Sequence, residues 1–293
     1  MPGVAFVVNG SLVRGSGHVL ALCHEAAARH RWRAEFLVTE KAEAGVGAAR
    51  SAALDGIDLV VAVGGDGTVR GCAEGLAKTG VPLGVVPCGT ANLLARTLRV
   101  PGHPRAALAV ALDARGTDRT IDLAVADEVP FTAMAGMGLD AAIVAATRMK
   151  HQFGWLAYAV SGATHLAAPP SVYRIRLDGG APVEREARSV VVGNSGLLPG
   201  GFSLLPDARP DDGLLDVGVL APRGPLGWPR LATRVLAHSH RQDRMLERFQ
   251  ARRVEITTQA PLPREVDGEI VTADQSLTVT IQPGALTVRA PRL

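Results

Sequence analysis

The chain has 293 residues, 47% of them hydrophobic and 20% charged, with a formal net charge of +3. That length is too great for one small core and suits two modest domains. The apolar content excludes a disordered chain, and so small a charge argues against a nucleic-acid binder.

The first part alternates strands and helices. An apolar run at 4–8 reads as a strand closed by Asn9-Gly10, and 18–30 has helical periodicity. A second strand follows at 34–39, then a glycine-weakened helix at 44–54. Residues 58–63 are apolar on both faces, as a central parallel strand should be. A helix over about 69–78, a strand at 82–87 and a helix at 91–98 complete the series. The pattern predicts a parallel sheet covered by helices.

After about residue 120 the rhythm changes to many short strands closed by turns, interrupted by helical stretches at about 139–168 and 226–249. Such a series predicts a mainly antiparallel sandwich or barrel. The expected fold class is therefore α/β followed by β, with domains at 1–118 and 119–293. The uncharged stretch Phe153–Tyr173 has the length of a membrane span, but Gly, Ser, Thr, His165 and Pro169-Pro170 make it read as a helix followed by a break. Cys23, Cys72 and Cys88 show no CxxC or metal-ligand spacing, which fits reduced thiols in a cytoplasmic protein. No signal peptide is apparent.

Residues 60–71 read VVAVGGDGTVRG. A glycine-rich turn after a parallel strand brings backbone N–H groups against phosphates, where side chains would block them. Neither standard cradle matches. The chain has no Gly-Lys dipeptide, which removes the GxxxxGK[ST] loop, and a dinucleotide fingerprint would need glycine where Arg70 stands. The GxGxxA match at 136–141 reads as close packing rather than a cofactor site. Asp66 leaves two readings open. A carboxylate beside phosphates needs a cation between them, which points to Mg²⁺ carried in with a nucleotide. Alternatively Asp66 caps a helix and Gly64, Gly65 and Gly67 form a turn. A second turn, PCGTAN at 87–92, repeats Gly-Thr between a strand and a helix. Two such turns would converge at the carboxyl edge of one sheet, where ligands bind. Thr90 or Asn92 as a simple helix cap is the competing reading.

GGDGT at 64–68 followed by PCGTAN resembles the diacylglycerol kinase catalytic domain, whose superfamily includes bacterial lipid kinases, sphingosine kinases and ceramide kinases. The likeness continues through TIDLAVAD and FTAMAGMGLDAAIV (120–144), LPGGFSLLPDARPDDGLLDVGVL (198–220) and VDGE (266–269), nearly the whole chain. The resemblance implies an N-terminal nucleotide domain like that of NAD kinase and phosphofructokinase, a C-terminal β-sandwich, ATP as donor and a lipid hydroxyl as acceptor. It assigns ATP contacts to Asn9, Thr39, the turn Gly64, Gly65, Asp66, Gly67, Thr68, Val69 and Arg70, and to Gly89, Thr90 and Asn92. Asp66 would lie near the catalytic Mg²⁺. Glu269 would be the general base, with Asp267 as positioner or metal contact and the two roles interchangeable. By the same resemblance the VDGE acids face the glycine cradle across an interdomain cleft. Asn9-Gly10 and Arg70-Gly71 depart from the family's usual Asn-Pro and Asn-Glu, which bears on nucleotide contacts and rate.

Two acidic stretches also have plainer readings. The resemblance implies a structural Mg²⁺ on Asp212, with the carbonyls of Arg209 and Leu214; otherwise DARPDDGLLD (207–216) is a solvated turn before a strand. Asp267-Gly268 alone reads as a two-residue hairpin turn. A lipid acceptor requires a visit to the bilayer. Residues 223–253 carry eight arginines against two acids, with Arg241, Arg244 and Arg248 on one face if helical. That segment is either an anionic-lipid docking patch or a solvated face. His238 and His240 show no metal spacing. NAD kinase, a kinase for a sphingoid base, ceramide or phosphatidylglycerol, and a nucleotide-binding regulator are the alternatives, and a homodimer stays open.

Overall fold

The computed structural model describes residues 1–15, 17–39, 45–113, 115–138, 169–197, 203–223 and 244–292, with isolated positions between 227 and 237. Contacts divide the chain into two units. The first comprises Met1–Leu123, Pro199–Gly201 and Pro283–Leu293; the second comprises Ala124–Leu198 and Phe202–Gln282. Against the expected division at 118/119, the chain leaves the first unit five residues later and returns to it at the end.

In the first unit, β1 (Gly3–Asn9), β2 (Arg33–Thr39), β3 (Leu59–Gly64) and β4 (Leu83–Pro87) form a parallel sheet in the order β2-β1-β3-β4. β1, β3 and β4 are apolar along nearly their whole length because helices cover both faces. The helices are α1 (Gly10–Gly15), α2 (Gly17–Arg29), α3 (Val46–Leu54), α4 (Asp66–Leu76), α5 (Leu93–Thr97) and α6 (Pro104–Leu112). The core includes Phe6, Val61, Leu76, Leu94 and Leu108. The motif reading missed α6, although Pro104 at its first turn and the spacing of Ala107, Leu108, Ala111 and Leu112 are a helix signature. It also began α4 three residues late: the GGDG stretch itself supplies the first turn.

The second unit is built from β6 (Val129–Phe131), β7 (Met134–Gly138), β8 (Ser171–Leu177), β9 (Val183–Ala187), β10 (Ser189–Gly193), β11 (Leu215–Leu220), β12 (Leu246–Ala251) and β13 (Arg253–Val266). β5 (Gly116–Ala126) and β14 (Glu269–Pro291) each give part of their length to this unit and part to the first. Pairing is antiparallel along β12-β11-β10-β7-β13-β14, while β8 pairs with β13 and β9. β13 pairs with β8 over Val254–Thr258 and with β7 over Arg264–Val266, with register shifts between the two. Such a strand crosses from one layer of a sandwich to the other. Tyr173, Ile175, Val190, Val217 and Val254 pack between the layers.

One expectation is corrected. Residues 246–251 are a strand, not the end of a helix over 226–249, because β12 pairs residue for residue with β11. Leu246 is buried there despite flanking residues of good helix propensity, a case of sheet pairing overriding local preference. Arg244 sits in a turn and Arg248 on β12, so they share no helical face. Arg241, His238, His240 and the helical reading of 139–168 lie outside the described residues. Among the described residues, no helix is long and apolar enough to cross a membrane.

Candidate functional site

The order β2-β1-β3-β4 reverses direction between β1 and β3, the switch point at which open α/β sheets bind ligands beyond their carboxyl ends. Asn9 ends β1 opposite Thr39 at the end of β2, and Gly64 ends β3 opposite Pro87 at the end of β4. The sheet therefore brings Asn9, Thr39, the glycines that lead into α4 and the 89–92 turn to one edge.

The two turns touch. Cys88 N–H donates to the Gly64 carbonyl at 2.8 Å. A Cβ on Gly89 would stand 2.6 Å from Gly65 Cα, so neither turn tolerates a side chain at the crossing. Gly64 is constrained likewise, by the Thr68 hydroxyl. The first amides of α4, at Asp66 and Gly67, have no acceptor within the helix by helix geometry, and its dipole is positive at this end. Gly89 and Thr90 are exposed. Such a surface has the donors to hold phosphate oxygens.

The reading of Asp66 as a helix cap is corrected. Asp66 is the first residue of α4 with Gly65 as its cap, so it does not cap its own helix. Its carboxylate instead accepts the Asn92 N–H at 2.8 Å and the Leu93 N–H at 2.6 Å, at the start of α5. Each oxygen keeps one acceptor position, so the group still suits a hard cation. Asn92 has a left-handed backbone (φ 50°) and exchanges two hydrogen bonds with the Gly89 peptide: Gly89 N–H to Oδ1 at 3.0 Å and Nδ2–H to the Gly89 carbonyl at 2.8 Å.

Other expected contacts face inward. Thr68 and Thr39 are each 4% exposed. Asn9 donates to the Thr68 hydroxyl at 3.4 Å, and Thr39 donates to the Val8 carbonyl at 3.3 Å. Val69 is buried, and its amide bonds the Gly65 carbonyl. These side chains support the turn from beneath. Arg70 lies half-buried on α4.

In the second unit, Asp267 (φ 47°) and Gly268 (φ 76°) form a two-residue turn closed by the pair Val266 and Glu269. Positive φ at both central positions is the type I′ geometry that Asp-Gly favours. Asp267 is 7% exposed and its carboxylate takes four donors: the Thr132 N–H at 2.9 Å, the Thr132 hydroxyl at 3.2 Å, the Ala133 N–H at 2.8 Å and the Met134 N–H at 3.2 Å. Those amides lie in and beside the gap between β6 and β7, which the sequence shows as one continuous run. A carboxylate with four donors has its acceptor positions filled. Glu269 opens β14, half-buried.

Two buried acids escaped the sequence reading. Glu265, 2% exposed, accepts the Gly268 N–H at 2.8 Å and braces the turn from behind. Asp122, 4% exposed, accepts the Gly284 N–H at 2.7 Å. A lone acid inside an apolar strand such as TIDLAVAD is the signal that could have found it. The GxGxxA match has a packing cause: Gly138 (φ 104°) leaves room for the Tyr173 hydroxyl, whose single proton is shared between the carbonyls of Met137 and Arg188.

At 207–216, Asp212 is exposed and accepts the Leu214 N–H at 3.0 Å, the geometry of a local turn. Among the described residues, no three acid, histidine or cysteine side chains group to hold a metal. A site of one carboxylate and two carbonyls, as expected for Asp212, Arg209 and Leu214, needs no such group. Asp216, four residues on from Asp212, is 6% exposed, accepts from Gln250 at 3.1 Å, and has its second oxygen buried without a hydrogen-bond partner. Burial pushes its carboxyl up to about 6 against the Gln250 hydrogen bond, and the charges of Asp212 and Asp207 add to the rise.

Residues 4–126 match the family model of the diacylglycerol kinase catalytic domain, and residues 133–290 match that of the YegS C-terminal NAD kinase beta sandwich-like domain. A "Probable lipid kinase YegS-like" protein of Pseudomonas fluorescens is 35% identical over 79% of this chain and 77% of its own. A diacylglycerol kinase of Bacillus subtilis is 31% identical over 76% of this chain and 74% of its own. Among solved structures, a Bacillus anthracis diacylglycerol kinase superposes with a TM-score of 0.76 at 23% identity, over 98% of this chain and 96% of that one. An NAD kinase of Archaeoglobus fulgidus in complex with ATP gives 0.55 at 16% identity, over 97% and 92%, a likeness of fold alone.

Proposed function

Because the chain belongs to the diacylglycerol kinase catalytic-domain family, with a C-terminal domain of the YegS type, we propose that it transfers the γ-phosphoryl group of ATP to a primary lipid hydroxyl. The acceptor we assign is diacylglycerol and the product phosphatidate. The observation that carries this reading is the pair of touching glycine turns at the switch point of a parallel sheet.

ATP phosphates lie against the amides at the start of α4 and the Gly89-Thr90 turn. Mg²⁺ carried in with ATP, beside Asp66, would offset charge on the transferring group. Glu269 accepts the proton of the attacking hydroxyl and aligns it for in-line transfer, a contribution of about 10²–10⁴-fold. Asp267 fixes the hairpin that presents Glu269. A hard cation at Asp212, with the carbonyls of Arg209 and Leu214, would hold the loop before β11.

The acceptor lives in a bilayer, and we assign bilayer contact to the arginine-rich segment 223–253. In the second unit, a groove of about 560 Å³ brings Arg223 and Arg244 together with Arg185, and Glu184, Glu186 and Glu247 balance their charge, so the assignment rests on the composition of the segment. Co-sedimentation with vesicles should then require anionic lipid, and charge reversal at Arg223 and Arg244 should abolish it.

The deciding experiment is turnover of radiolabelled ATP against diacylglycerol, sphingosine, ceramide, phosphatidylglycerol and NAD. Labelled phosphatidate is the expected product. Labelled NADP would replace this reading with an NAD kinase, and label only in another lipid would move the acceptor.

A further inference from the structure

Asp66 and Asn92 belong to different turns, yet their bonds close one ring. Asp66 holds the Asn92 and Leu93 amides at 2.8 and 2.6 Å. Asn92 holds the Gly89 peptide through both ends of its amide. Gly89 abuts Gly65, the residue before Asp66, and Cys88 is tied to Gly64. Two short glycine turns have little stiffness of their own. Asn92 must also be kept in the left-handed region, at a cost smaller for asparagine than for other non-glycine residues. Charge-assisted bonds from one carboxylate to two consecutive amides supply that constraint.

We infer that Asp66 and Asn92 are positioning residues: together they lock the two glycine turns into a single rigid phosphate cradle, so that Asp66 acts on the nucleotide through the shape of the cradle before any metal is bound. This rests on the reading of the chain as an ATP-dependent kinase. It separates Asp66 from a role confined to metal ligation, since a metal ligand matters only when metal is present. It also gives the Asn92 side chain a partner other than ATP.

The test is ATP binding by the purified chain in excess EDTA, by calorimetry, beside steady-state kinetics with Mg²⁺. Asp66→Asn replaces one acceptor with a donor that opposes a backbone N–H. Asn92→Ala removes both bonds to Gly89 and leaves the Asp66 carboxylate intact. Each should weaken metal-free ATP binding about 10- to 100-fold, the scale of a misplaced binding group. With Mg²⁺, each should raise KM for ATP more than it lowers kcat. The double variant should be little worse than either single one, because both break the same ring. Asn92→Ala keeps the test open should Asp66→Asn fail to fold. Unchanged metal-free affinity in a folded variant, with only the Mg²⁺ requirement altered, would overturn the inference. A wild-type chain that binds no ATP, with or without Mg²⁺, would instead remove the kinase reading on which it rests.

Discussion

The glycine cradle and the Asp-Gly hairpin both look, in sequence, like acids poised for chemistry, and both spend their aspartate on backbone amides. They differ in degree. Asp66 is half-exposed and takes two donors from one neighbouring turn. Asp267 is buried and takes four, from the stretch that separates β6 from β7. A half-exposed carboxylate with spare acceptor positions can shape a site and still meet a cation. A buried one with none left has no acceptor position to offer a cation. The chemical acid is then sought beside the structural one, which turns attention to Glu269.

The sharpest way to break that division is Glu269→Gln. Turnover should fall about 10²- to 10⁴-fold, the share of a general base, while ATP affinity stays at the wild-type value. Near-normal turnover, or a loss of stability in place of turnover, would place Glu269 in the same class as Asp267.

Asp267→Ala should do the reverse and act on stability. It leaves three backbone amides and a hydroxyl buried without their acceptor, a change worth about 3–5 kcal/mol. Urea denaturation of the two variants side by side measures the contrast. A cost under about 1 kcal/mol with lost turnover would make Asp267 the chemical group.

Much of this was legible in the residues. Glycines in a strand-to-helix turn and Asp-Gly between apolar runs are local signals, and local geometry realised both. The partners were not legible. Nothing in GGDGT says that its aspartate will hold amides 26 and 27 residues further on, because that contact depends on β3 and β4 being neighbours that end level. Glu265 was hidden for a similar reason: an acid on a strand reads as solvated until the sandwich buries it. The helical reading of 226–249 failed at its end because those residues have good helix propensity, and only pairing with β11 makes a strand of them.

Asp216 tests whether a buried acid without enough donors behaves unlike Asp267. Its carboxyl is raised from 3.8 to about 6, so the folded state holds the proton more tightly than the unfolded state does. That contribution to stability is complete below 3.8 and is lost as pH rises through about 6. In chelator, the wild type should lose up to about 3 kcal/mol on this account between acid and neutral pH, at 1.36 kcal/mol per unit. Asp216→Asn should flatten the profile and be the more stable form at pH 8. Parallel profiles for the two proteins would show that the unpartnered oxygen is satisfied in solution.

The smallest effect concerns the hairpin turn itself. Gly268 has φ 76°, in the left-handed region, and no atom lies within 4 Å of a Cβ placed there. Space is therefore not the constraint; backbone conformation is. Gly268→Ala should cost about 1 kcal/mol, and Gly268→Asn less, since asparagine tolerates this region. A β-branched residue such as valine should cost more than alanine. Denaturation midpoints across the three variants read this order directly. If the order holds while turnover follows stability, the turn serves only to carry its neighbours. If Gly268→Ala keeps its stability but loses turnover, the 1 kcal/mol is being felt at Glu269, and the hairpin's conformation is part of how the acid is aimed.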